Sequence, residues 1–345
     1  MSTSVSSLSS SSSLPPFSSS TITLPARDYD LAATLDSGQV FRWRQTEDSW
    51  VGIIGKTAVR LTQTGNEILA ETTAPQNDWD WLRNFLQTDV DLQNILKTFP
   101  DDPPMQAAVA ACHGLRILRQ EPWECLASFI LSSTKQIVQI RQIVANLCDC
   151  FGEPISDPAD TRERRRLAGT QHHNEPNNSP AGRQRSQAIL APPREKHGLG
   201  FAFPTPQRIA GVTETDLRNC KMGFRAPNLL AAACQIAEGR LDLESLRHLS
   251  YAEAKMELMK LRGVGAKIAD CVLLFAYGFD SAFPVDVWIE RALRQLYFPR
   301  RRVNEKKLLH FAANHFGPHA GYAQQYLFHY MRTKTNNVGA EVTRL

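Results

Sequence analysis

The chain has 345 residues, of which 42% are hydrophobic, so it can form two or three domains with ordinary globular cores. No run of apolar residues approaches the roughly 20 positions of a membrane span, which excludes a transmembrane helix. The net charge of +4 is compatible with nucleic-acid binding but does not require it, and the odd number of cysteines, seven, favours free thiols over a disulfide framework.

Serine dominates the N-terminal segment, in which residues 1–20 carry no charge and Arg27 is the first basic residue. A segment of this composition buries too little apolar surface to offset the entropy that is lost on ordering. We therefore predict a disordered tail over residues 1–24. The absence of acidic residues also fits an organelle transit peptide, although such peptides are rich in arginine.

Short β-strands are predicted in a domain that spans residues 25–110. Runs rich in aromatic and β-branched residues alternate there with turn residues such as Gly55 and Gly65. The predicted strands are Val40–Arg44, Trp50–Ile54, Ala58–Thr62 and Glu67–Ala70. An amphipathic helix is predicted to follow them, near Asp78–Leu96.

Helical periodicity dominates the remainder, with core helices over 111–154 and 198–335 and a C-terminal tail at 336–345. Residues 155–197 interrupt this pattern, because they are rich in proline, asparagine, serine and arginine and repeat with neither a helix nor a strand period. We predict a disordered basic insertion there. Either its arginines contact DNA without sequence preference, or the segment is a solvated linker.

Two helices joined by a glycine turn are predicted in the second half of the chain. The first begins at the capping box Ser250–Glu253, and the second spans Ala266–Tyr277. Gly263 and Gly265 lie between them, where we expect both to tolerate positive φ and to leave the backbone bare. Bare N–H groups at the start of a helix attract phosphate, and the primary amine of Lys267 lies beside them.

A second motif, Phe283-Pro284-Val285-Asp286, comes just before a predicted helix over Val287–Tyr297. By position alone, Asp286 is an ordinary N-cap, and Lys267 fits either a phosphate contact or a reactive amine. The hairpin, the lysine and the Pro-Val-Asp sequence occur in an order that resembles the helix-hairpin-helix, Gly/Pro/Asp superfamily of DNA base-excision glycosylases.

Three further segments resemble the 8-oxoguanine DNA glycosylase/AP lyase family: Leu35–Trp43, Leu115–Ser133 and Gly317–Phe328. The resemblance implies an α+β fold, in which a small N-terminal antiparallel β domain packs on an all-α helix-hairpin-helix glycosylase core. Lesion recognition would involve the β-rich domain at 25–110.

The resemblance also implies a bifunctional enzyme that flips 8-oxoguanine out of duplex DNA, excises it, and then cleaves the strand by β-elimination. Lys267 would be the nucleophile, because an amine that attacks C1′ can form a Schiff base and a hydroxyl cannot. Asp286 would stabilise positive charge at C1′ and help to move protons, in addition to capping its helix.

Four residues would bind the flipped base. Cys271 and the ring of Phe328 would contact its two faces, and the amide of Gln324 would read its Watson–Crick edge. The carbonyl of Gly38 would accept a hydrogen bond from N7–H, which 8-oxoguanine has and guanine lacks. Without the resemblance, the same residues would be interpreted as core positions and a turn glycine.

Contacts with the rest of the duplex are expected from residues outside the base pocket. Phe224 would wedge into the base stack, and Arg225 would donate two bonds to the cytosine opposite the lesion. Thr134 and Lys135 stand where the family has an asparagine pair that probes DNA, and Gln139 stands where it has an arginine, so we expect a weak preference for cytosine. The full expected set is Thr134, Lys135, Phe224, Arg225, Gly263, Gly265 and Trp288.

No cofactor is required by this chemistry. Related glycosylases with an iron–sulfur cluster carry four cysteines after the aspartate, whereas no cysteine follows Cys271 here, which excludes that cluster. The resemblance points to the backbone carbonyls of Met259, Leu261 and Val264 as the site of a monovalent cation.

The expected partner is double-stranded DNA that contains oxidised guanine, bound by a monomer with no membrane association. The expected location is intracellular, in a bacterial cytoplasm or a eukaryotic nucleus. Two alternatives stay open: a helix-hairpin-helix glycosylase for other damaged bases, and a non-catalytic DNA-binding protein. Lys267 disfavours the first, because the branch for alkylated bases usually lacks this lysine. The joint presence of Lys267, Asp286, Cys271, Gln324 and Phe328 disfavours the second.

Overall fold

The computed structural model describes residues 19–155 and 200–342. Its N-terminal part contains a five-stranded antiparallel sheet with the strand order β1-β5-β4-β3-β2. The strands are β1 (Ser20–Pro25), β2 (Arg44–Gln45), β3 (Trp50–Ile54), β4 (Thr57–Thr64) and β5 (Glu67–Thr72). The prediction of three of these strands, β3, β4 and β5, is confirmed.

β1 forms an edge of the sheet and pairs antiparallel with β5 along its whole length. The prediction of a disordered tail over 1–24 is therefore wrong for residues 20–24, whereas residues 1–18 lie outside the described part of the chain. Ile22 and Leu24 alternate with threonines, and Leu24 is fully buried. This alternation is a strand signal that the high serine content of the segment obscured.

The predicted strand Val40–Arg44 is wrong, because only its last residue pairs with a neighbour, in β2. The residues before it are buried in two different cores. Val40 and Trp43 pack in the core of the β domain, whereas Phe41 packs in the core of the helical domain. The apolar run therefore joins the two domains instead of lining one face of the sheet.

A short helix that the sequence did not predict, α1 (Leu31–Asp36), leads into the turn that contains Gly38. After the turn, the buried amide of Gln39 binds a segment that leads into the helical domain. Its Nε2 donates to the carbonyl of Arg116 at 2.8 Å, and its Oε1 accepts from the N–H of Leu118 at 2.8 Å. These bonds fix the Gly38 turn at the junction of the two domains.

The predicted helix over Asp78–Leu96 consists of two helices, because Gln87 adopts a left-handed conformation with φ 56° and Asp91 caps the second helix. The α-helices of this region and of the helical domain are α2 (Asp80–Leu86), α3 (Leu92–Leu96), α4 (Pro103–Ala111), α5 (Pro122–Ser132), α6 (Ile137–Phe151), α7 (Pro206–Ala210), α8 (Glu214–Leu217), α9 (Ala226–Ala237), α10 (Tyr251–Met259), α11 (Ala266–Val272), α12 (Val287–Tyr297), α13 (Glu305–His315) and α14 (Ala320–Val342). The architecture confirms the expected α+β fold.

One predicted boundary differs from the structure, and another predicted segment lies almost wholly outside the described residues. Residues 336–342 belong to α14 and not to a tail, because the sequence there contains no proline and its one glycine does not stop the helix. The predicted insertion at 155–197 lies, from residue 156 onward, outside the described residues. Its flanks meet, because Pro154 forms an antiparallel bridge with Phe201. Across 19–155 and 200–342, no helix combines the length and apolar character needed to cross a bilayer.

Candidate active site

The hairpin has the predicted local structure. α10 begins at the capping box, in which the Glu253 carboxylate accepts from the N–H of Ser250 at 2.9 Å and the Ser250 hydroxyl accepts from the N–H of Glu253 at 3.3 Å. Gly263 has φ +80°, and a Cβ at this position would lie 2.2 Å from Nδ2 of Asn228. Both the backbone conformation and the neighbouring side chain therefore require glycine here.

Gly265 differs from the prediction. It is the N-cap of α11 with φ −92° and ψ 179°, an extended conformation that any residue adopts, so the expectation of positive φ is wrong. A Cβ at this position would meet no atom within 4 Å. The protein itself therefore does not require glycine at 265, and open space lies in front of the first N–H groups of α11.

Lys267 lies in the first turn of α11 and is half-buried. Its Nζ lies 5.7 Å from the centre of the Phe129 ring, which in turn stacks on Phe275 with ring centres 5.5 Å apart. The amine therefore faces a cavity of about 870 Å³ whose floor is aromatic. A cavity of this size is within the range of small-molecule sites and is large enough for a purine.

Asp286 lines the same cavity at the N-cap of α12, where its carboxylate accepts from the N–H of Ile289 at 2.8 Å. Burial raises the pKa of Asp286, although the backbone hydrogen bond to Ile289 and the positive charge of Lys267 act in the opposite direction. The predicted N-cap is confirmed. The same carboxylate is available to the cavity and to its amine.

The cavity brings together most of the residues that the sequence singled out. It is lined by the proposed catalytic pair, by all four residues proposed to bind the base, and by four of those proposed to contact DNA. These residues are Lys267, Asp286, Gly38, Cys271, Gln324, Phe328, Thr134, Lys135, Gly265 and Trp288. Phe224, Arg225 and Gly263 do not line it.

Gln324 and Cys271 form buried parts of the wall. No hydrogen-bond partner for Oε1 of Gln324 is found among the described residues. An unsatisfied buried acceptor costs about 1–3 kcal/mol, so this oxygen favours a ligand that donates to it. Burial raises the pKa of the Cys271 thiol to about 12, with a smaller opposing effect from the charge of Lys267. Cys271 therefore stays a neutral thiol and presents an uncharged surface.

Gly38 lines the same cavity and has a left-handed conformation with φ +82°. A Cβ at this position would lie 2.7 Å from Cδ1 of Ile137 and 3.3 Å from Cε1 of Phe328. Glycine is therefore needed both for the turn and for the close approach of its backbone to the Phe328 ring.

Phe224 and Arg225 lie beside the cavity in a helical turn before α9 and have opposite environments. Phe224 is 59% exposed, as a wedge residue must be. Arg225 is only 2% exposed and donates to the carbonyl of Ser133 and, at 2.7 Å, to Oγ1 of Thr134. Arg225 can bind a cytosine only after its hydrogen bonds to Ser133 and Thr134 break.

The sequence did not single out several cavity residues, of which Arg332 is the most polar. Gln324, Phe328 and Arg332 follow one another at intervals of four on α14 and share one face of that helix. This spacing is the signal that could have identified Arg332.

The candidate cation site stays a prediction. The carbonyl of Leu261 accepts from the N–H of Val264 at 3.1 Å, which is part of the hairpin turn itself. Within the described ranges, no cluster of three or more histidine, cysteine, aspartate or glutamate side chains is suited to hold a metal ion.

Residues 127–317, more than half of the chain, match the family described as HhH-GPD superfamily base excision DNA repair protein. The chain belongs to this superfamily. Residues 21–126 match the N-terminal domain of 8-oxoguanine DNA glycosylase, so the two matches cover the β domain and most of the helical domain. The resemblance inferred from the motifs is therefore confirmed.

Similar proteins extend over most of the chain. It is 28% identical to a probable N-glycosylase/DNA lyase of Methanothermobacter thermautotrophicus, in an alignment that covers 90% of this chain and 95% of the relative. It is also 28% identical to the N-glycosylase/DNA lyase of Saccharomyces cerevisiae, with 77% of this chain and 68% of the relative covered.

Solved structures show the same relationship. The 8-oxoguanine glycosylase/lyase of Clostridium acetobutylicum, in complex with DNA that contains cytosine opposite 8-oxoguanine, is 29% identical with a TM-score of 0.74 and covers 91% of this chain and 98% of that chain. A 3-methyladenine DNA glycosylase from Archaeoglobus fulgidus has a TM-score of 0.67 at 19% identity, with 90% and 98% covered. The second likeness concerns the fold alone, so the fold does not specify which base is removed.

Proposed function

We propose that this chain is a bifunctional DNA glycosylase/AP lyase that excises 8-oxoguanine from duplex DNA and then cleaves the strand. One observation carries the proposal. A single cavity contains the amine of Lys267, the carboxylate of Asp286 and the partnerless amide oxygen of Gln324. The activities named for the relatives, N-glycosylase/DNA lyase and 8-oxoguanine glycosylase/lyase, support the same conclusion.

In the first step, the neutral amine of Lys267 attacks C1′ as the glycosidic bond breaks. The base leaves with the bonding electron pair and takes up a proton. Positive charge develops at C1′, and the carboxylate of Asp286 in the same cavity stabilises it. Loss of a proton from the new amine and opening of the sugar ring then give a Schiff base between Nζ and C1′.

In the second step, the Schiff base withdraws electrons from the sugar and makes the C2′ hydrogen acidic. Removal of that hydrogen as a proton expels the 3′ phosphate and breaks the strand. Water then hydrolyses the imine, which releases the cleaved product and restores the amine of Lys267. A hydroxyl nucleophile could complete only the first step, because it forms no imine.

Recognition of the lesion is assigned to four other residues that line the same cavity. Phe328 and Cys271 would contact the two faces of the purine, and the Gln324 amide would bind its Watson–Crick edge. The carbonyl of Gly38 would accept from N7–H of 8-oxoguanine and would repel the N7 lone pair of guanine. Discrimination by an unpaired buried group is large, because the wrong substrate leaves that group without a partner.

The proposed partner is double-stranded DNA with an oxidised guanine. We propose that a monomer binds it, because the catalytic pair and the four base-contact residues already line one cavity without a second copy. The substrate requires a location associated with DNA inside the cell. The bare N–H groups of the hairpin and the exposed ring of Phe224 supply surfaces for the phosphate backbone and the base stack.

Borohydride trapping tests this function, because borohydride reduces a Schiff base to a stable covalent complex. We expect the unsubstituted chain to be trapped on a duplex with 8-oxoguanine opposite cytosine. Lys267→Gln should abolish trapping and strand cleavage but keep DNA binding, because the backbone of the hairpin is unchanged. The matched control is Lys260→Gln on the same hairpin, where the amine is exposed and pairs with Glu257 at 2.6 Å.

Three results would contradict parts of the proposal. Trapping of Lys267→Gln would mean that another amine reacts, and Lys135 in the same cavity would be examined next. Trapping on other lesions but not on 8-oxoguanine would support a different base specificity. Duplex binding without trapping on any lesion would support a non-catalytic DNA-binding protein.

A further inference from the structure

The turn at residues 36–39 has an unusual distribution of hydrogen bonds. The carbonyl of Asp36 accepts from Nη1 of Arg332 at 3.1 Å, and the carbonyl of Ser37 accepts from Nε2 of Gln325 at 3.0 Å. The carbonyl of Gln39 accepts from Nε2 of Gln120 at 2.8 Å. For the carbonyl of Gly38, by contrast, the described residues supply no donor. The turn is therefore held on both sides of the one carbonyl that is left free.

Arg332 contacts two parts of the candidate base site at once. Its guanidinium carbon lies 5.5 Å from the centre of the Phe328 ring, and its Nη1 would lie 3.6 Å from a Cβ on Gly38. The charge of Arg332 faces Asp36, whose carboxylate also binds Arg141 at 2.8 Å. Arg332 therefore lines the cavity and links α14 to the Gly38 turn.

We propose that Arg332 is a positioning residue that determines specificity, because it holds the Gly38 turn in place through the carbonyl of Asp36. The proposal rests on the proposed function, in which the Gly38 carbonyl distinguishes N7–H from an N7 lone pair. That distinction depends on a hydrogen bond of about 2.7–3.2 Å, so a carbonyl that moves away or rotates loses it. Arg332 would not touch the reacting atoms.

A hydrogen-bond donor, and not only a long side chain, is required at this position. A side chain that merely packed on the Phe328 ring would support that ring without fixing the turn. Methionine at 332 would keep an apolar contact with Phe328 but could not donate to Asp36. Lysine would keep one charged donor with a different shape. The two substitutions therefore separate the bond to the turn from the contact with the ring.

Two activities of the same protein provide the test. Excision of 8-oxoguanine needs the Gly38 carbonyl, whereas cleavage at a preformed abasic site needs Lys267 but no base. For Arg332→Met we expect single-turnover excision to fall about 10- to 100-fold, the range for loss of a hydrogen bond to a charged group, while abasic-site cleavage stays within about twofold. Arg332→Lys should recover a substantial part of the excision rate.

The matched control is Lys334→Met, which removes an exposed positive charge two residues away on the same helix. We expect it to leave both rates within about twofold, since the residue is exposed and its ammonium lies 5.6 Å from the centre of the Tyr330 ring, which does not line the cavity. Equal loss of both activities in Arg332→Met would mean that Arg332 supports folding or DNA affinity, and would overturn the proposal. Unchanged excision in Arg332→Met, or no recovery in Arg332→Lys, would overturn it as well.

Failure of the proposed function would give a different result. In that case the unsubstituted chain would not excise 8-oxoguanine at all, whatever residue occupies position 332. Excision by the unsubstituted chain is therefore measured first. The Arg332 variants are compared with it once that activity is established.

Discussion

The guanidinium of Arg225 donates a hydrogen bond of 2.7 Å to Oγ1 of Thr134 and another to the carbonyl of Ser133. Thr134 itself has φ +56°, a left-handed conformation that is unfavourable for threonine. The buried arginine thus stabilises a strained turn that faces the cavity. The sequence predicts that Arg225 reads the opposite cytosine. In the structure, its side chain instead stabilises the turn at Thr134.

The contact between Arg225 and the turn at Thr134 predicts how excision depends on the base opposite the lesion. Because Arg225 supports the turn, we expect Arg225→Ala to slow excision about 10- to 100-fold opposite all four bases, in proportion to the charged hydrogen bonds that are lost. The unsubstituted chain should show only a weak preference for cytosine. Single-turnover rates against the four opposite bases check both expectations. A loss confined to cytosine would instead assign Arg225 to direct reading of that base.

The hairpin glycines should respond differently to alanine. Gly265→Ala meets no atom of the protein and has an ordinary φ, so the free energy of unfolding should not fall. Duplex affinity should fall about tenfold, because the added methyl group would occupy space needed by a phosphate. Gly263→Ala has φ +80° and a clash with Asn228, so it should lose about 1–3 kcal/mol of stability. Urea unfolding and duplex-binding titrations separate the two effects.

Gly38→Ala tests the close approach of backbone to base. With φ +82° and a contact of 2.7 Å to Ile137, alanine should lower the free energy of unfolding by about 1–2 kcal/mol and reduce excision more than tenfold. Gly65→Ala is the control, because φ is +57° there and nothing lies within 4 Å. It should show a similar loss of stability with normal excision. Equal excision by the two variants would remove Gly38 from the recognition site.

Local sequence signals predicted the parts of the site that depend on nearby residues. The capping box Ser250–Glu253, the helix Val287–Tyr297 and the N-cap Asp286 are all confirmed, because each depends on residues within one or two helical turns. The β1 strand at residues 20–25 was missed since its few alternating apolar residues lie next to a long run of serine.

Contacts between distant residues were not predictable in this way. Arg332 binds the carbonyl of Asp36 across 296 positions of sequence, and no local pattern indicates that pairing. Likewise, no local pattern indicates that Arg225 is buried against the turn at Thr134, because burial depends on how α5, α6 and α9 pack. A Gly-Val-Gly turn does not show which of its two glycines adopts positive φ, and in the structure Gly263 does so whereas Gly265 does not.

Asp286 gives the chain a predicted dependence on pH. Burial raises its pKa above the ordinary value of 3.8, and only the ionised carboxylate can stabilise positive charge at C1′. Excision should therefore fall as the pH decreases through this raised pKa, and the acid limb should lie at higher pH than for an ordinary aspartate. A profile of single-turnover excision against pH locates this limb.

Asp286→Asn tests the assignment, because asparagine caps a helix about as well as aspartate. The raised pKa means that folding disfavours the ionised form, so the carboxylate reduces stability as the pH rises above its unfolded value. At neutral pH, the free energy of unfolding of Asp286→Asn should therefore be no lower than that of the unsubstituted chain. Excision should fall about 100- to 1,000-fold, the acid limb should disappear, and duplex affinity should stay the same. A parallel loss of binding and folding would mean that Asp286 acts only as a cap.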